Sequence, residues 1–284
     1  MVGKGVTDFG SGSVRVVLGV EYDGSSYHGW QLQGHDPRTI QAELESALSR
    51  IADQPVRVIC AGRTDSGVHA TAQVVHFDAP CQRPERAWTQ GTNSYLPDNI
   101  RVLWCCFVAN DFHARFSALS RRYLYVIDNR RVRSAIMAEK LTWERRPLDV
   151  DAMHTGAQYL IGERDFTSVR ASHCQSFTAL RNVHHLRVTR VADQVVIDIK
   201  ANAFLYHMVR NIAGVLIEIG RGDRDPVWAL EVLEARDRTV AGVTAQPHGL
   251  YLVDIEYPGQ YGLPDMKSPP PFLSQNIFRR DNDC

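Results

Sequence analysis

The stretch TIQAELESALSRIA, residues 39–52, places apolar side chains where one face of an α-helix would present them. The apolar positions are Ile40, Leu44, Ala47, Leu48 and Ile51. Steps of three and four residues are typical of a helix that lies on a core. Thr39 precedes the first of them, and its hydroxyl can accept a hydrogen bond from the first turn, so Thr39 is the predicted N-cap. The sequence therefore predicts a helix here, and the segments around it define the rest of the fold.

The first half of the chain predicts the order β-α-β-β-α-β. Its strands are expected over residues 14–22, 56–60, 71–77 and 101–108, and its second helix over residues 84–94. The second half repeats this order, with strands over 122–127, 183–190, 194–201 and 249–256, helices over 150–160 and 204–220, and an added helix over 226–235. The sequence thus predicts an α+β fold of two tandem ferredoxin-like subdomains, the split-βαβ unit shared with RNA-recognition modules. Their antiparallel sheets would join side by side with helices on one face, and the groove between the halves would hold the site.

Length and composition agree with this division. The chain has 284 residues, 44% of them hydrophobic, which is typical of a globular protein larger than one average domain. We expect subdomains over residues 14–110 and 111–264, and flexible tails over residues 1–13 and 265–284. No apolar run approaches the roughly 20 residues that a bilayer span needs, and the polar N-terminus lacks a signal-peptide core. A cytoplasmic protein without a membrane association is expected.

Charge and cysteine content exclude several classes of protein. Basic and acidic side chains are equal in number, at 32 each, which argues against a binder that relies on overall positive charge. Basic residues are nevertheless concentrated between residues 111 and 150, as on an RNA-binding face or an ordinary solvated one. The six cysteines form no Cys-x-x-Cys pair and have no histidine at zinc-finger spacing. Neither a metal site nor disulfide bonds are expected.

A ten-residue connection carries the main candidate for catalysis. Residues 61–70 read AGRTDSGVHA and separate two predicted strands that a hairpin would join with about two to five residues. The two glycines permit a sharp turn and the close approach of a large ligand, while the threonine and serine can hold the loop open through local hydrogen bonds. The Asp65 carboxylate would then be free to react, although the same residue types also make ordinary surface turns.

A second candidate lies on the helix predicted over residues 204–220. Arg210 falls outside the apolar stripe of that helix, on a narrow polar strip with His207. A charge flanked by apolar residues needs a carboxylate partner. An ion pair with Asp65 across the groove would lower the pKa of the aspartate and fix its orientation. The alternatives are an arginine that extends to solvent or one that pairs with a structural acid such as Asp225.

Aromatic residues follow the basic cluster. Residues 121–127, RRYLYVI, alternate like a strand, so Tyr123 and Tyr125 would share one face. A sheet could use that face to stack a nucleobase beside phosphate-binding arginines, although core tyrosines would give the same pattern. Trp30 could also stack on a base, but a plug beneath the sheet edge is favoured.

Seven segments together resemble the tRNA pseudouridine synthase A family. They are YHGWQ at residues 27–31, GRTDSGVHA at 62–70, RRYLY at 121–125, DFTS at 165–168, DIKANAF at 198–204, HMVRN at 207–211 and GLYL at 249–252. The resemblance spans about residues 14–264. It implies an isomerase that converts uridine to pseudouridine at positions 38, 39 and 40 in the anticodon stem-loop of tRNAs, by base flipping and an aspartate nucleophile. It also implies a homodimer that contacts tRNA through both subunits and uses no cofactor and no metal.

The resemblance assigns roles to individual residues. Asp65 corresponds to the essential aspartate, Arg210 to the arginine that pairs with it, and Tyr123 to the tyrosine that stacks on the target base. Arg63 corresponds to the arginine that helps hold the RNA and the flipped nucleotide, and Leu250 to an apolar residue lining the pocket. Phosphate contacts are expected from Arg115, Arg121 and Arg122.

These residue types suit the chemistry. Cleavage of the glycosidic bond builds positive charge at C1′, which an ionised carboxylate can stabilise or capture, and the same carboxylate could instead attack the uracil ring. The main alternative is a non-catalytic RNA-binding protein with the same sheet aromatics, which would need neither Asp65 nor Arg210. A zinc nucleobase deaminase is set aside because its His-x-Glu and Pro-Cys-x-x-Cys signatures are absent.

Overall fold

A ten-stranded sheet forms the centre of the fold. The computed structural model describes residues 14–32, 34, 38–172, 174–265 and 267–273. Within them the strands are β1 (Val14–Tyr22), β2 (Ile59–Cys60), β3 (His69–Ala79), β4 (Ile100–Val108), β5 (Ser120–Asp128), β6 (Thr142–Trp143), β7 (Gly162–Asp165), β8 (Leu180–Val191), β9 (Gln194–Ala201) and β10 (Leu250–Glu256). The α-helices there are α1 (Ile40–Ala52), α2 (Val150–Gln158), α3 (Met208–Gly220) and α4 (Trp228–Ala235). The chain therefore has the α+β class that the sequence predicts.

The two halves of the chain meet within this one sheet. The strand order is β4-β1-β3-β10-β5-β9-β8-β7, with β2 paired to β3 and β6 paired to β5. The last strand of the second half, β10, lies parallel to β3 of the first half, with Tyr251 opposite His69 and Leu252 opposite Ala70. The pairs of β10 with β5, and of β1 with β3, are antiparallel. The two halves are thus joined into one continuous sheet through a parallel seam between β3 and β10.

Helix α1 forms as its sequence predicts. The Thr39 hydroxyl accepts a hydrogen bond of 3.3 Å from the Ala42 amide, so the N-cap is the expected residue. The helix ends at Asp53, whose φ of 54° lies in the left-handed region and stops the hydrogen-bonding pattern. Its apolar stripe is buried, with Leu44 and Leu48 fully covered. Periodicity and capping therefore identify this element from sequence alone.

Several elements differ from their predicted bounds. The strand predicted over 56–60 shortens to β2, because the Val56 amide donates to Ser49 Oγ (2.9 Å) and the Val58 amide donates to Glu45 Oε1 (3.0 Å), both on α1. The helix predicted over 84–94 contains a π-helical turn at Ala87–Gly91. Strands β6 and β7 form in connections where the sequence predicts no strand.

Both faces of the central strands are covered. Tyr123 and Tyr125 of β5 belong to one apolar cluster with the buried side chains of all four α-helices. Leu124 and Val126 alternate with them and belong to a second cluster that includes Leu273. Because alternate residues of a strand face opposite sides, the second cluster lies on the other face of the sheet. Strand β5 is therefore buried on both sides.

Part of the predicted C-terminal tail supplies this cover. Leu273 is buried, Phe272 packs at the edge of the second cluster, and the Ser268 amide donates to the Val253 carbonyl at 3.2 Å. Residues 267–273 are thus part of the packed structure. The remaining predicted tail residues, 1–13, 266 and 274–284, lie outside the described residues. No helix in the described ranges is long and apolar enough to cross a bilayer.

Candidate active site

Asp65 lies on the loop that joins β2 to β3, beside the seam of the sheet. Neighbouring segments hold this loop through hydrogen bonds to the residues next to Asp65. The Trp30 amide donates to the Thr64 carbonyl at 3.0 Å, and the Tyr22 hydroxyl lies 2.8 Å from Thr64 Oγ1. The Ser66 hydroxyl donates to the Tyr27 carbonyl at 3.1 Å. The threonine and serine thus fix the loop to other parts of the fold rather than bonding locally as predicted.

Two glycines allow another segment to pack directly on the back of this loop. Gly29 has a φ of +88°, and a Cβ atom there would lie 2.8 Å from the Thr64 carbonyl oxygen and 3.1 Å from the Asp65 carbonyl carbon. A Cβ atom on Gly24 would lie 1.9 Å from the Val68 carbonyl oxygen. Only glycine fits such an approach between two backbones. Trp30, which follows Gly29, is 1% exposed and is the buried plug that the sequence favours.

The structure brings Asp65 and Arg210 together across the seam. Arg210 Nη1 lies 3.2 Å from Asp65 Oδ2, and Arg210 Nε donates to the Ala245 carbonyl at 2.8 Å. The two side chains are 14% and 18% exposed, so the pair is neither fully buried nor freely solvated. The second bond of the arginine fixes the direction from which it approaches the carboxylate.

His207 is a further neighbour of Asp65. Its Nε2 atom lies 3.3 Å from the same Oδ2 atom. Its φ of 61° is left-handed and ends the turn before α3, which starts at Met208 and not at residue 204 as predicted. Burial lowers the pKa of His207, reinforced by Arg210 and opposed by the Asp65 charge, so the imidazole is neutral at neutral pH. A neutral imidazole can donate one hydrogen bond to the carboxylate.

Both neighbours approach the same oxygen of Asp65. Among the described residues, none forms a hydrogen bond with Oδ1. The arrangement therefore orients Asp65 through one oxygen and leaves Oδ1 without a hydrogen-bond partner among the described residues.

Tyr123 and Leu250 form part of one wall of side chains on the sheet, and Tyr123 lies near Asp65. They lie on the neighbouring strands β5 and β10. Leu252 is opposite Tyr123 and Leu250 is opposite Tyr125, so all four side chains lie on one face of the sheet. Tyr123 is 8% exposed and its ring contacts Phe204 edge to face at 5.0 Å. Burial, with the nearby Asp65 charge, raises the pKa of Tyr123, so its hydroxyl stays protonated. The wall thus offers an aromatic ring and an aliphatic side chain, which suit the faces of a planar ring.

The four arginines predicted to contact RNA divide into two groups. Arg63 and Arg115 are exposed, one on the Asp65 loop and one before β5. Arg121 and Arg122 are buried, which corrects the prediction that they contact phosphates. Arg122 Nε and Nη2 donate to the two oxygens of Asp198 at 2.7 and 2.5 Å. Both residues lie on a strand covered on its two faces, so their guanidinium groups bond within the fold.

Arg121 has a structural task close to the site. Its Nη2 atom donates to the Ala61 carbonyl at 3.0 Å and to the Arg115 carbonyl at 2.6 Å, and its Nη1 atom donates to the Asn202 carbonyl at 3.1 Å. One guanidinium thus ties the start of the Asp65 loop to the turn before β5. In the part of the chain that the structure describes, no group of three His, Cys, Asp or Glu side chains could hold a metal ion.

Comparison with known proteins agrees with this geometry. A family model described as tRNA pseudouridine synthase matches residues 19–117 and 157–258, more than half of the chain. The chain is 54% identical over 264 residues to tRNA pseudouridine synthase A of Pseudoalteromonas atlantica, covering 93% of this chain and 100% of the relative. It is 53% identical to the protein of that name from Pseudomonas aeruginosa, covering 93% of each chain, and 52% identical to that of Vibrio campbellii, covering 93% and 100%.

Similarity to solved structures is much weaker. The archaeal box H/ACA sRNP Nop10-Cbf5 complex gives a TM-score of 0.33 at 11% identity, covering 71% of this chain and 43% of that one.

Asp65 lies in the first segment matched by the family model, and Arg210 lies in the second. The two residues that meet at the seam therefore come from different parts of the matched sequence.

Proposed function

The chain belongs to the tRNA pseudouridine synthase A family and isomerises uridine to pseudouridine in tRNA, and we propose that Asp65 is its nucleophile and the anticodon stem-loop its target. The observation that carries this proposal is the contact of 3.2 Å between Asp65 Oδ2 and Arg210 Nη1 at the seam. It supports this role because a fixed cation beside the carboxylate can replace the hydration that is lost when the RNA excludes water.

The proposed reaction uses the free oxygen of Asp65. Arg210 and His207 engage Oδ2, so Oδ1 faces the nucleotide and forms the transient bond. That bond is made either to C1′, as the glycosidic C1′–N1 bond breaks, or to the uracil ring. On either route the C1′–N1 bond breaks, the base turns, C5 bonds to C1′, and the bond to Asp65 breaks to restore the carboxylate. The C5 proton leaves and N1 gains a proton. The balance of bonds requires neither an oxidant nor a reductant.

Arg63, Tyr123 and Leu250 are proposed to hold the flipped nucleotide. A base that leaves its stack costs a few kcal/mol, and contacts in the pocket must offset that cost. The Tyr123 ring and the Leu250 side chain supply apolar contacts for the two faces of uracil. Arg63 is exposed and lies two residues before Asp65. It would contact the RNA backbone or fill the place in the stem that the flipped base has left, and Arg115 would contact a phosphate.

The strand order supports the finer assignment of fold that we propose, two tandem ferredoxin-like units. In the first half, β4-β1-β3-β2 is the spatial order and α1 follows β1. In the second half, β10-β5-β9-β8 is the corresponding order and α2 follows β5. Each half thus has the strand order expected of the split-βαβ pattern.

We further propose a cytoplasmic homodimer, on the basis of the family resemblance. Sedimentation velocity of the full chain tests whether it is a dimer.

Mapping of tRNA modification in cells tests the proposed function. Pseudouridines of the anticodon arm should disappear from tRNA when the gene is deleted and return with the wild-type gene. The Asp65→Asn variant should not restore them, whereas Asp98→Asn should, because Asp98 is an exposed aspartate that pairs with Arg101 at the surface. Unchanged modification after deletion contradicts the proposed target. Restoration by Asp65→Asn favours the non-catalytic RNA-binding alternative.

A further inference from the structure

An exposed aromatic side chain stands beside the Asp65 loop and has no role in the reaction described above. Phe116, in the turn before β5, is 74% exposed. Single exposed apolar residues are common and need no explanation. Phe116 is not single, because the His113 ring lies 4.3 Å from its ring at an interplanar angle of 31°, and the Arg115 guanidinium lies 5.4 Å from its centroid. Because most of the Phe116 side chain is exposed, much of its ring surface stays open to solvent.

The turn that carries Phe116 is held in place by its own hydrogen bonds. His113 Nδ1 accepts from the amides of Arg115 and Phe116, both at 3.2 Å. The Ser117 amide donates to the His113 carbonyl at 2.8 Å, and the His113 amide donates to Ser117 Oγ at 2.9 Å. Beneath it, the His76 ring lies 4.8 Å from the His113 ring. A ring fixed in this way loses little conformational freedom when a ligand stacks on it.

The turn is also fixed relative to the active site. Arg121 Nη2 donates to both the Arg115 carbonyl and the Ala61 carbonyl, at 2.6 and 3.0 Å. Ala61 lies two residues before Arg63 and four before Asp65. The turn that carries Phe116 and Arg115 is therefore held in a fixed position relative to the loop that carries Arg63 and Asp65.

We propose that Phe116, backed by His113 and flanked by Arg115, is a stacking platform for an unpaired nucleobase next to the target uridine. The inference rests on the proposed function, because it takes the RNA to lie across the Asp65 loop. Flat aromatic faces bind bases of any sequence, and adjacent cations bind the phosphates that follow them. The combination fits a single-stranded or distorted stretch of RNA, in which a base has left its pair and exposes its face.

The test compares two substitutions of the same residue. Phe116→Leu keeps an apolar side chain and removes the aromatic face, whereas Phe116→Trp keeps and enlarges that face. We expect Phe116→Leu to weaken the Kd for a fluorescent anticodon stem-loop RNA about tenfold, and Phe116→Trp to bind as tightly as the wild type. Because the platform does not touch the reacting atoms, kcat at saturating tRNA should change less than twofold.

Tyr95→Leu is the matched control. Tyr95 is also an exposed aromatic residue beneath an arginine, with Arg50 5.1 Å from its ring centroid, but it lies near α1 and has no bond to the Asp65 loop. Its substitution should leave the Kd unchanged. Equal binding by Phe116→Leu and the wild type overturns the proposal, as does an equal loss in Phe116→Leu and Phe116→Trp.

The remaining outcomes separate this proposal from its alternatives. If Phe116→Leu alters the sedimentation coefficient of the protein without RNA, the ring belongs to a contact between two copies of the chain, and the platform is wrong. If the wild type forms pseudouridine and Phe116→Leu binds RNA as tightly as the wild type, the platform proposal is wrong and the proposed function stands. A wild-type protein that forms none contradicts the proposed function itself, whatever the Kd values are.

Discussion

Two arginine–aspartate pairs in this structure have the same chemistry and different surroundings. Arg122 and Asp198 lie inside the sheet, with side chains 5% and 8% exposed, and their two hydrogen bonds engage both carboxylate oxygens. Arg210 and Asp65 lie at the seam, with side chains 14% and 18% exposed, and share one contact to a single oxygen. The two pairs thus differ in whether both carboxylate oxygens are engaged or only one, and in the proposed reaction the oxygen left free at Asp65 is the one that reacts.

A histidine stands beside each aspartate as well. His185 Nε2 lies 3.4 Å from Asp198 Oδ2, and His207 Nε2 lies 3.3 Å from Asp65 Oδ2. Burial would raise the pKa of Asp198, but the hydrogen bonds from Arg122 and the nearby His185 ring outweigh it and lower that pKa. The same three residue types thus stabilise a charge inside the sheet in one place and, as we propose, prepare a nucleophile in the other.

Asparagine substitutions should separate the two pairs most strongly in stability. Asp198→Asn leaves the Arg122 guanidinium buried without its counter-charge, so we expect the free energy of unfolding to fall by about 3–5 kcal/mol. Asp65→Asn affects a part-exposed pair, so the free energy of unfolding should fall by about 1 kcal/mol or less. Urea denaturation of both variants beside the wild type measures the difference. Equal losses would mean that the seam pair is as structural as the buried one.

Arg210→Gln should have the next largest effect, on the rate. The carboxylate loses the group that fixes its direction, and we expect the single-turnover rate to fall about 100-fold with the fold retained. Arg146→Gln is the matched control, because Arg146 is an exposed arginine that pairs with Asp223 at the surface. A folded Arg210→Gln variant with the wild-type rate would contradict this role.

His207→Gln should lower kcat about tenfold and leave KM unchanged, because an amide can only partly replace the imidazole next to Asp65. His185→Gln, at the buried pair, should affect stability and not kcat. Steady-state kinetics of both variants checks this contrast. A loss confined to KM would place His207 in RNA binding instead.

The pH profile sharpens the test of His207. Burial lowers its pKa below the usual value of about 6.5. The midpoint of proton uptake therefore lies below that value, and uptake adds a second cation beside Asp65, with Arg210 and Arg238 nearby, and makes the carboxylate less reactive. The wild-type rate should fall in acidic solution with a midpoint below the usual histidine pKa, and His207→Gln should lack that fall. An acid limb shared by both proteins would assign it to another group.

Gly29→Ala should give the smallest effect on the rate, through the backbone that positions Asp65. A Cβ atom there would meet the Thr64 carbonyl at 2.8 Å, and the φ of +88° disfavours alanine. We expect a loss of about 1–3 kcal/mol in stability and a rate several-fold lower. Gly259→Ala, where no atom lies within 4 Å of the added Cβ, is the control. Wild-type stability and rate in both variants would contradict the role of Gly29 in positioning the Asp65 loop.

Some of this could be predicted from sequence, and the reasons are physical. Helix α1 shows a clear period and a capping threonine, so its bounds follow from local rules. The polar strip of α3 placed Arg210 outside the core and left Asp65 as its candidate partner. Both signals depend on residues close together in the chain.

Other features depend on contacts that no local pattern reveals. Arg122 lies on a strand that alternates like a half-exposed one, and its burial requires the cover supplied by residues 267–273 and their neighbours on the second face. His207 was placed on the polar strip of a continuous helix, but its left-handed φ ends that helix and turns the imidazole to Asp65. The signal in the sequence that points to this contact is that His207 shares the polar strip with Arg210.

Single-turnover conversion of tRNA by Asp65→Asn tests the central claim most directly. Enzyme in excess over tRNA is stopped at set times, and pseudouridine is counted by mass spectrometry of the digested RNA, with Kd measured in parallel. We predict no pseudouridine from Asp65→Asn at times when the wild type has converted all of its substrate, and a Kd within a few-fold of the wild type. Conversion by Asp65→Asn at a rate near that of the wild type would contradict the account.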